Sequence, residues 1–378
     1  MKAYNAKDIR NIAIAGHSGR GKTTLAEAML FLAKATDRLG RVADGNTVLD
    51  FDAEEKRRKV TIATAMAAFD WNNTKINLLD TPGLFDFAGG VSEGMRAAES
   101  ALIVLAAGSG VDVGAEKAYK AASERKIAKL FAVTRCDAEN TDFYKTFDAL
   151  KEEYGAPVCP VVVPYMEGDA VKGYVDFSTG KAYAYNGGKA SEIAMSADDR
   201  IEEMKEVFNE AVASADEELM EKFFEGEALT TEEIAKGLKA GIIAGDIYPV
   251  YACSGYTTDG VDLLLNGIVS AAPDAASCAG EGDIKCDENG ALAAICFKTV
   301  ADPFVGKMSF FKVVSGKITS DTPAYNARTG ESERMGKIIT LKGAKQEDSA
   351  CIPAGDIGVV TKLSGFKTGD TLCAPKAD

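Results

Sequence analysis

The sequence predicts an α/β domain built on a mostly parallel sheet with helices on both faces. It also predicts an α+β insertion within that domain and an all-β barrel after it. Three observations lead there: an apolar run that ends in a glycine-rich loop and a helix, further buried strands alternating with helical segments, and a C-terminal series of strand-like runs parted by Gly and Pro turns.

In chain order, NIAIAG (11–16) is a β-branched apolar run ending in glycine and reads as a buried strand. TTLAEAMLFLAKA (23–35) has apolar residues at helical spacing with no internal Gly or Pro, so a helix follows the loop. KINLLD (75–80), ESALIVLAA (99–107) and KLFAVT (129–134) read as further buried strands, and KAYKAASERK (117–126) as a helix. Strands alternating with helices imply a parallel sheet covered on both faces. From 158 to 185 the pattern becomes short strands broken by Gly and Pro, followed by a strongly acidic helical stretch from 198 to 239. YPVYACS (248–254) returns to a buried strand and VDLLLNGIVSAA (261–272) to a helix, so 157–247 reads as an insertion. The Gly-rich stretch 276–283 reads as a linker between a first domain (1–275) and a barrel (284–378). ALAAICFKTV, GKMSFFKVVSGKI, ERMGKIITL and DIGVVTKL supply the barrel's strands.

Composition excludes several function classes. The net charge of −14 disfavours loose binding to nucleic acid, so no free DNA partner is expected. His17 is the single histidine, which removes Ser-His-Asp and Cys-His chemistry elsewhere in the chain. The eight cysteines show no paired two-residue spacing of a zinc site and are expected to be reduced and partly buried. No apolar run reaches membrane-spanning length and the N-terminus has no apolar h-region, so a cytoplasmic monomer without membrane contact is expected.

Gly16-His17-Ser18-Gly19-Arg20-Gly21-Lys22-Thr23 matches the phosphate-loop pattern G-x-x-x-x-G-K-[ST] between a strand and a helix, the context this motif requires. Glycines let backbone N–H groups turn inward around phosphates, and the helix N-terminus adds its positive end. Lys22 then reaches the β- and γ-phosphates, and Thr23 ligates Mg²⁺, with Thr24 next in the helix. These features assign the first domain to the P-loop NTPase fold. Asp80-Thr81-Pro82-Gly83 closes the strand KINLLD where a magnesium-linked aspartate belongs, and Gly83 can offer its N–H to the γ-phosphate. Thr134-Arg135-Cys136-Asp137 closes KLFAVT where a base-reading loop would sit. Asp137 can accept from guanine N1–H and the 2-amino group, a pair adenine lacks, and Ser254-Gly255 can offer N–H groups to guanine O6. GTP/GDP with Mg²⁺ are the implied cofactors.

With these motifs in place the chain resembles the translational GTPases, and specifically bacterial elongation factor G. The resemblance spans the chain: GHSGRGKTT, RKVTI (58–62), DTPG, DPFVGKMSFFKVVSG (302–316), PAGDIGVV (353–360) and TGDTLC (368–373) fall in the family's order. It implies that Thr61 is the first switch threonine, closing over Mg²⁺ and the γ-phosphate, that 157–247 is the extra subdomain of the G domain, and that the ribosome is the partner. Lys22, Thr61 and Gly83 are the implied catalytic groups; Thr23, Thr61 and Asp80 are the implied metal-linked ones.

Four departures qualify the resemblance. Leu84 stands where the family has a water-positioning histidine, so slow intrinsic hydrolysis is expected. Thr134 replaces the asparagine of the family's N-K-x-D. Gly19 and Arg20 replace Asp and Ala in the phosphate loop; Arg20 either faces solvent or supplies charge in cis for a lost cation-binding aspartate. The chain also stops at the barrel where the factor continues, so a piece of a longer factor is expected. A ribosome-stimulated GTPase, a GTP-dependent binding module with little hydrolysis and a ribosome-protection protein of the tetracycline-resistance type all fit these features.

Overall fold

The computed structural model describes residues 4–168, 170–195, 198–277 and 284–375. The expected linker therefore lies, from residue 278 on, outside the described residues, as does Cys278.

The first domain is organised by β1 (Ile9–Ala15), whose residues are all buried and which is flanked on both sides by parallel neighbours. With β2 (Ala65–Trp71), β3 (Thr74–Asp80), β4 (Ser100–Ala106), β5 (Ala128–Thr134), β6 (Val158–Glu167), β7 (Ala170–Asp176), β8 (Lys181–Asn186), β9 (Lys189–Ile193) and β10 (Tyr248–Ala252), the sheet order is β2-β3-β1-β4-β5-β10-β6-β7-β8-β9. The six strands from β3 to β6 in that order run parallel, and the two flanks are antiparallel. The helices are α1 (Lys22–Leu32), α2 (Ala53–Arg58), α3 (Ala88–Ala97), α4 (Val113–Glu124), α5 (Phe143–Tyr154), α6 (Asp199–Ala213), α7 (Glu217–Phe224), α8 (Thr231–Ala244) and α9 (Val261–Ala271).

Several starts are set by local chemistry. Asp52, Asp112 and Asp142 cap α2, α4 and α5 by accepting from first-turn N–H groups. α1 differs: its N-cap is Gly21 in a left-handed conformation with no side-chain cap, which leaves the first-turn amides to a ligand. The acidic stretch 198–239 resolves into α6, α7 and α8, started by Asp198, Asp216 and Thr230.

Two expectations change here. The segment from 158 reads in the sequence as short broken strands, yet β6 runs for ten residues despite Pro160 and Pro164. Its register against β10 slips after Val250, opposite Pro160, where a bulge tolerates the missing N–H. β6 is thus an integral strand of the main sheet, and the inserted part builds outward from it. β2, α2, α3 and α5 lie outside the expected elements; α3 (AGGVSEGMRA) carries three glycines, a composition with poor helix propensity.

The second domain contains β11 (Ala293–Asp302), β12 (Gly306–Ser315), β13 (Lys317–Thr319), β14 (Ala324–Asn326), β15 (Glu331–Glu333), β16 (Ile338–Lys342), β17 (Lys345–Asp348), β18 (Cys351–Pro353), β19 (Ile357–Thr361) and β20 (Thr371–Cys373). Antiparallel ladders run β15-β14-β20-β11-β12-β19-β16-β17, with β13 and β18 forming a separate ribbon. Cys296, Phe311, Val313, Ile338, Val360 and Leu372 face inward to one core. Their strand neighbours Phe297, Phe310, Ile339 and Val359 point the other way and join the core of the first domain.

Candidate functional site

The phosphate loop bridges β1 and α1, and its first glycine is required by sterics. Gly16 has φ +134, and a Cβ there would lie 2.5 Å from the Val104 carbonyl oxygen on β4. Lys22 is buried, and its ammonium donates to the Gly16 and His17 carbonyls, both at 3.0 Å. Burial lowers its pKa, opposed by the charges of Asp80, Asp112 and Asp50. Gly83 packs directly on this loop: a Cβ there would meet the Lys22 ammonium and lie 2.7 Å from Ser18 N. The second turn is therefore held against the first by a residue that must lack a side chain.

Beneath the loop, three expected residues meet. Thr23 Oγ1 donates to Asp80 Oδ2 at 2.7 Å and lies 3.0 Å from Thr61 Oγ1. Thr61 Oγ1 in turn donates to Asp50 Oδ1 at 2.8 Å. The four side chains thus form one continuous run of polar contacts, Asp80–Thr23–Thr61–Asp50. Asp80 Oδ1 and Asp50 Oδ2 are buried and have no hydrogen-bond partner among the described residues. Burial first, then the Asp50 charge, pushes the Asp80 carboxyl up to about 7; burial pushes Asp50 up to about 6 against the bond from Thr61. Such a set of hard, partly unpartnered oxygens fits Mg²⁺. Among the described residues no group of three or more His, Cys, Asp or Glu side chains makes a metal cluster, so phosphate oxygens would have to complete the coordination.

Asp50 is absent from the site residues expected from the sequence. Its position, eleven before Thr61, obeys no local spacing rule, and only the fold of the segment through α2 brings the two together.

These groups border a cavity of about 190 Å³ lined by Ser18, Gly19, Gly21, Lys22, Thr23 and Thr24 on one side. Asp50, Lys59, Thr61, Gly83 and Arg135 border the other. Its volume falls below the roughly 300 Å³ of a whole drug-sized site, so the enclosed part suits phosphates and metal, with a base lying outside. A larger cavity of about 590 Å³ lies between the domains and is lined by none of the residues expected to bind nucleotide or metal.

The residues expected to read the base lie at or just past the ends of β5 and β10. Asp137 is exposed at the end of β5. Thr134 is buried, and its hydroxyl lies 2.8 Å from Arg20 O and 3.0 Å from Leu105 O, tying the loop to the strand end. Threonine thus keeps a bridging contact where the family's asparagine offers a two-ended amide. The Arg135 guanidinium donates to Gly19 O at 2.5 Å and crosses the same loop. Ser254 Oγ accepts from Tyr256 N and Thr257 N, which folds the turn after β10, and Gly255 lies against the start of α1.

Other expected residues have structural commitments. Thr81 Oγ1 donates to Ile14 O at 2.7 Å, locking the turn to β1, and Pro82 packs beside Gly90. Arg20 is partly exposed and is not among the residues lining the cavity; its Nε donates to Asp112 at 2.8 Å, at the cap of α4. His17 makes an edge contact with Phe85, centroids 5.6 Å apart, and its buried Nδ1 has no hydrogen-bond partner among the described residues. Leu84 is 37% exposed and precedes the short turn Phe85–Phe87.

Residues 7–274 match the family model for the elongation factor Tu GTP binding domain, and residues 291–375 match elongation factor G domain 2. The chain belongs to the translational GTPases of elongation factor G type. A solved structure from Thermus thermophilus superposes with a TM-score of 0.89 at 30% sequence identity, over 98% of this chain. The chain spans about half of that protein, 55% of its length. The P-loop GTPase domain followed by a β-rich domain is the architecture of this family. Among the described residues no helix is long and apolar enough to cross a membrane.

Proposed function

We propose that this chain binds GTP with Mg²⁺ in the cavity beneath the phosphate loop and works as a GTPase switch on the ribosome, in the cytoplasm. The observation that supports this most is the convergence of Lys22, Thr23, Thr61 and Asp80 from three separate segments on one buried point. In this reading Lys22 and the uncapped first turn of α1 hold the β- and γ-phosphates. Thr23 and Thr61 would hold Mg²⁺, with Asp80 and Asp50 behind them. When bound, Mg²⁺ supplies neutralisation of the phosphate charge. Gly83 directs its backbone N–H to the γ-phosphate, so that the segments 40–62 and 80–96 order around GTP and release after hydrolysis. Asp137 selects guanine from the open side of the site.

A second reading, a GTP-dependent binding module with little hydrolysis, is favoured by Leu84, whose apolar side chain cannot orient water. GTP turnover measured with and without ribosomes separates the two. Ribosome-stimulated phosphate release supports the switch enzyme. Tight GTP binding with no release in either condition supports the module, and absence of GTP binding would sink both.

A further inference from the structure

We infer that Lys59 is a second cation for the γ-phosphate beside Lys22, and that it, not Arg20, distinguishes GTP from GDP. The inference rests on the reading of the cavity as the phosphate site. Lys59 borders that cavity together with Lys22, Thr23 and Gly83. Among the described residues its ammonium, which lies beside Gly45, has no hydrogen-bond or ion-pair partner. Of the other cations nearby, Arg57 and Arg58 both bind Glu54, Arg20 binds Asp112, Lys22 donates to the Gly16 and His17 carbonyls and Arg135 to Gly19 O.

The backbone at Lys59 is the second observation. It ends α2 in the left-handed region, φ +57, with its N–H donating to Glu55 O. That conformation disfavours a residue with a Cβ, and such strain persists only where the surroundings hold it. Two residues on, Thr61 is fixed by Thr23 and Asp50, so the same closure that seats Thr61 brings Lys59 to the cavity wall.

Chemistry then sets the role. A triphosphate carries more negative charge than a diphosphate, and the extra charge lies on the side bounded by Gly83 and Thr61. A cation with no internal partner on that wall attracts the γ-phosphate without first breaking an ion pair. GDP offers no group there, so Lys59 contributes little to its binding.

The test is calorimetry of the full chain with GDP and with the β,γ-imido analogue of GTP. Lys59→Gly suits the local backbone, since glycine favours φ +57, and Lys59→Gln is a second neutral variant. Both should bind the analogue about tenfold more weakly and GDP within about twofold, with Lys59→Arg restoring most of the loss. Arg20→Ala should leave the ratio of the two affinities unchanged. Equal losses for both nucleotides, or none, would overturn the inference while leaving the site reading intact. An unmodified chain that binds neither nucleotide overturns the site reading and this inference with it.

Discussion

Leu84 follows Gly83, whose backbone rests on Ser18, and its own side chain is 37% exposed. A leucine there excludes water but cannot orient it, and general-base positioning by a side chain is worth roughly 10²–10⁴-fold in rate. Leu84→His is therefore expected to raise GTP turnover at least about tenfold with little change in GTP affinity. Single-turnover kinetics measure this, and an unchanged rate with intact binding would show that another group already orients the water. That the phosphate-loop residues, Asp80 and Gly83 would lie together was legible, because each sits in a motif defined by local spacing. Asp50 and Lys59 were not, because each reaches the cavity only through the fold of the segment before Thr61.

The barrel strands explain why their runs read as apolar without clean alternation. In β12, Phe311 points into the barrel core while Phe310 packs into the core shared with the first domain. The same split divides Ile338 from Ile339 and Val360 from Val359. Two buried faces remove the polar half of the strand pattern. Either Phe310→Ala or Phe311→Ala should cost about 3–5 kcal/mol. Only Phe310→Ala should separate the unfolding of the two domains, seen as a second transition in a denaturant melt followed by Trp71 fluorescence and by circular dichroism. A single coincident transition for both variants would show that this face does not couple the domains.

At the scale of the molecule, a buried polar network joins the domains at the opposite end of β1 from the phosphate loop. Lys312 binds Glu99, which also accepts from Asn11 at 2.7 Å. Lys75 binds Asp356 at 2.7 Å, and Asn77 donates to Asn11 and Asp356 at 2.7 and 2.8 Å. The Glu99 and Lys312 side chains are about nine-tenths buried, so each charge depends on the other. Lys312→Met should destabilise the chain by about 3–5 kcal/mol, and a double-mutant cycle with Glu99→Gln should give a coupling above about 1 kcal/mol. Additive losses in urea melts would show that the pair contributes no mutual stabilisation. On the far side the β16–β17 hairpin reaches the first domain, where Gly343 N donates to Met66 O and Lys342 donates to Ala35 O, both at 2.9 Å. The barrel thus touches the chain on both flanks of the segment that carries Thr61.

The sequence alone determined the P-loop fold, the β-rich second domain and the phosphate-binding motif. Each depends on residue type at short spacing: glycines for tight turns, lysine and threonine at a helix start, apolar runs for buried strands. Tertiary structure alone decided how distant segments meet. It paired Arg20 with Asp112, brought Asp50 under Thr61, and placed Lys59 on the cavity wall. It also made β6 a strand of the main sheet and gave the barrel a second buried face. These outcomes depend on what packs against each side chain across tens or hundreds of residues, which local propensity does not encode.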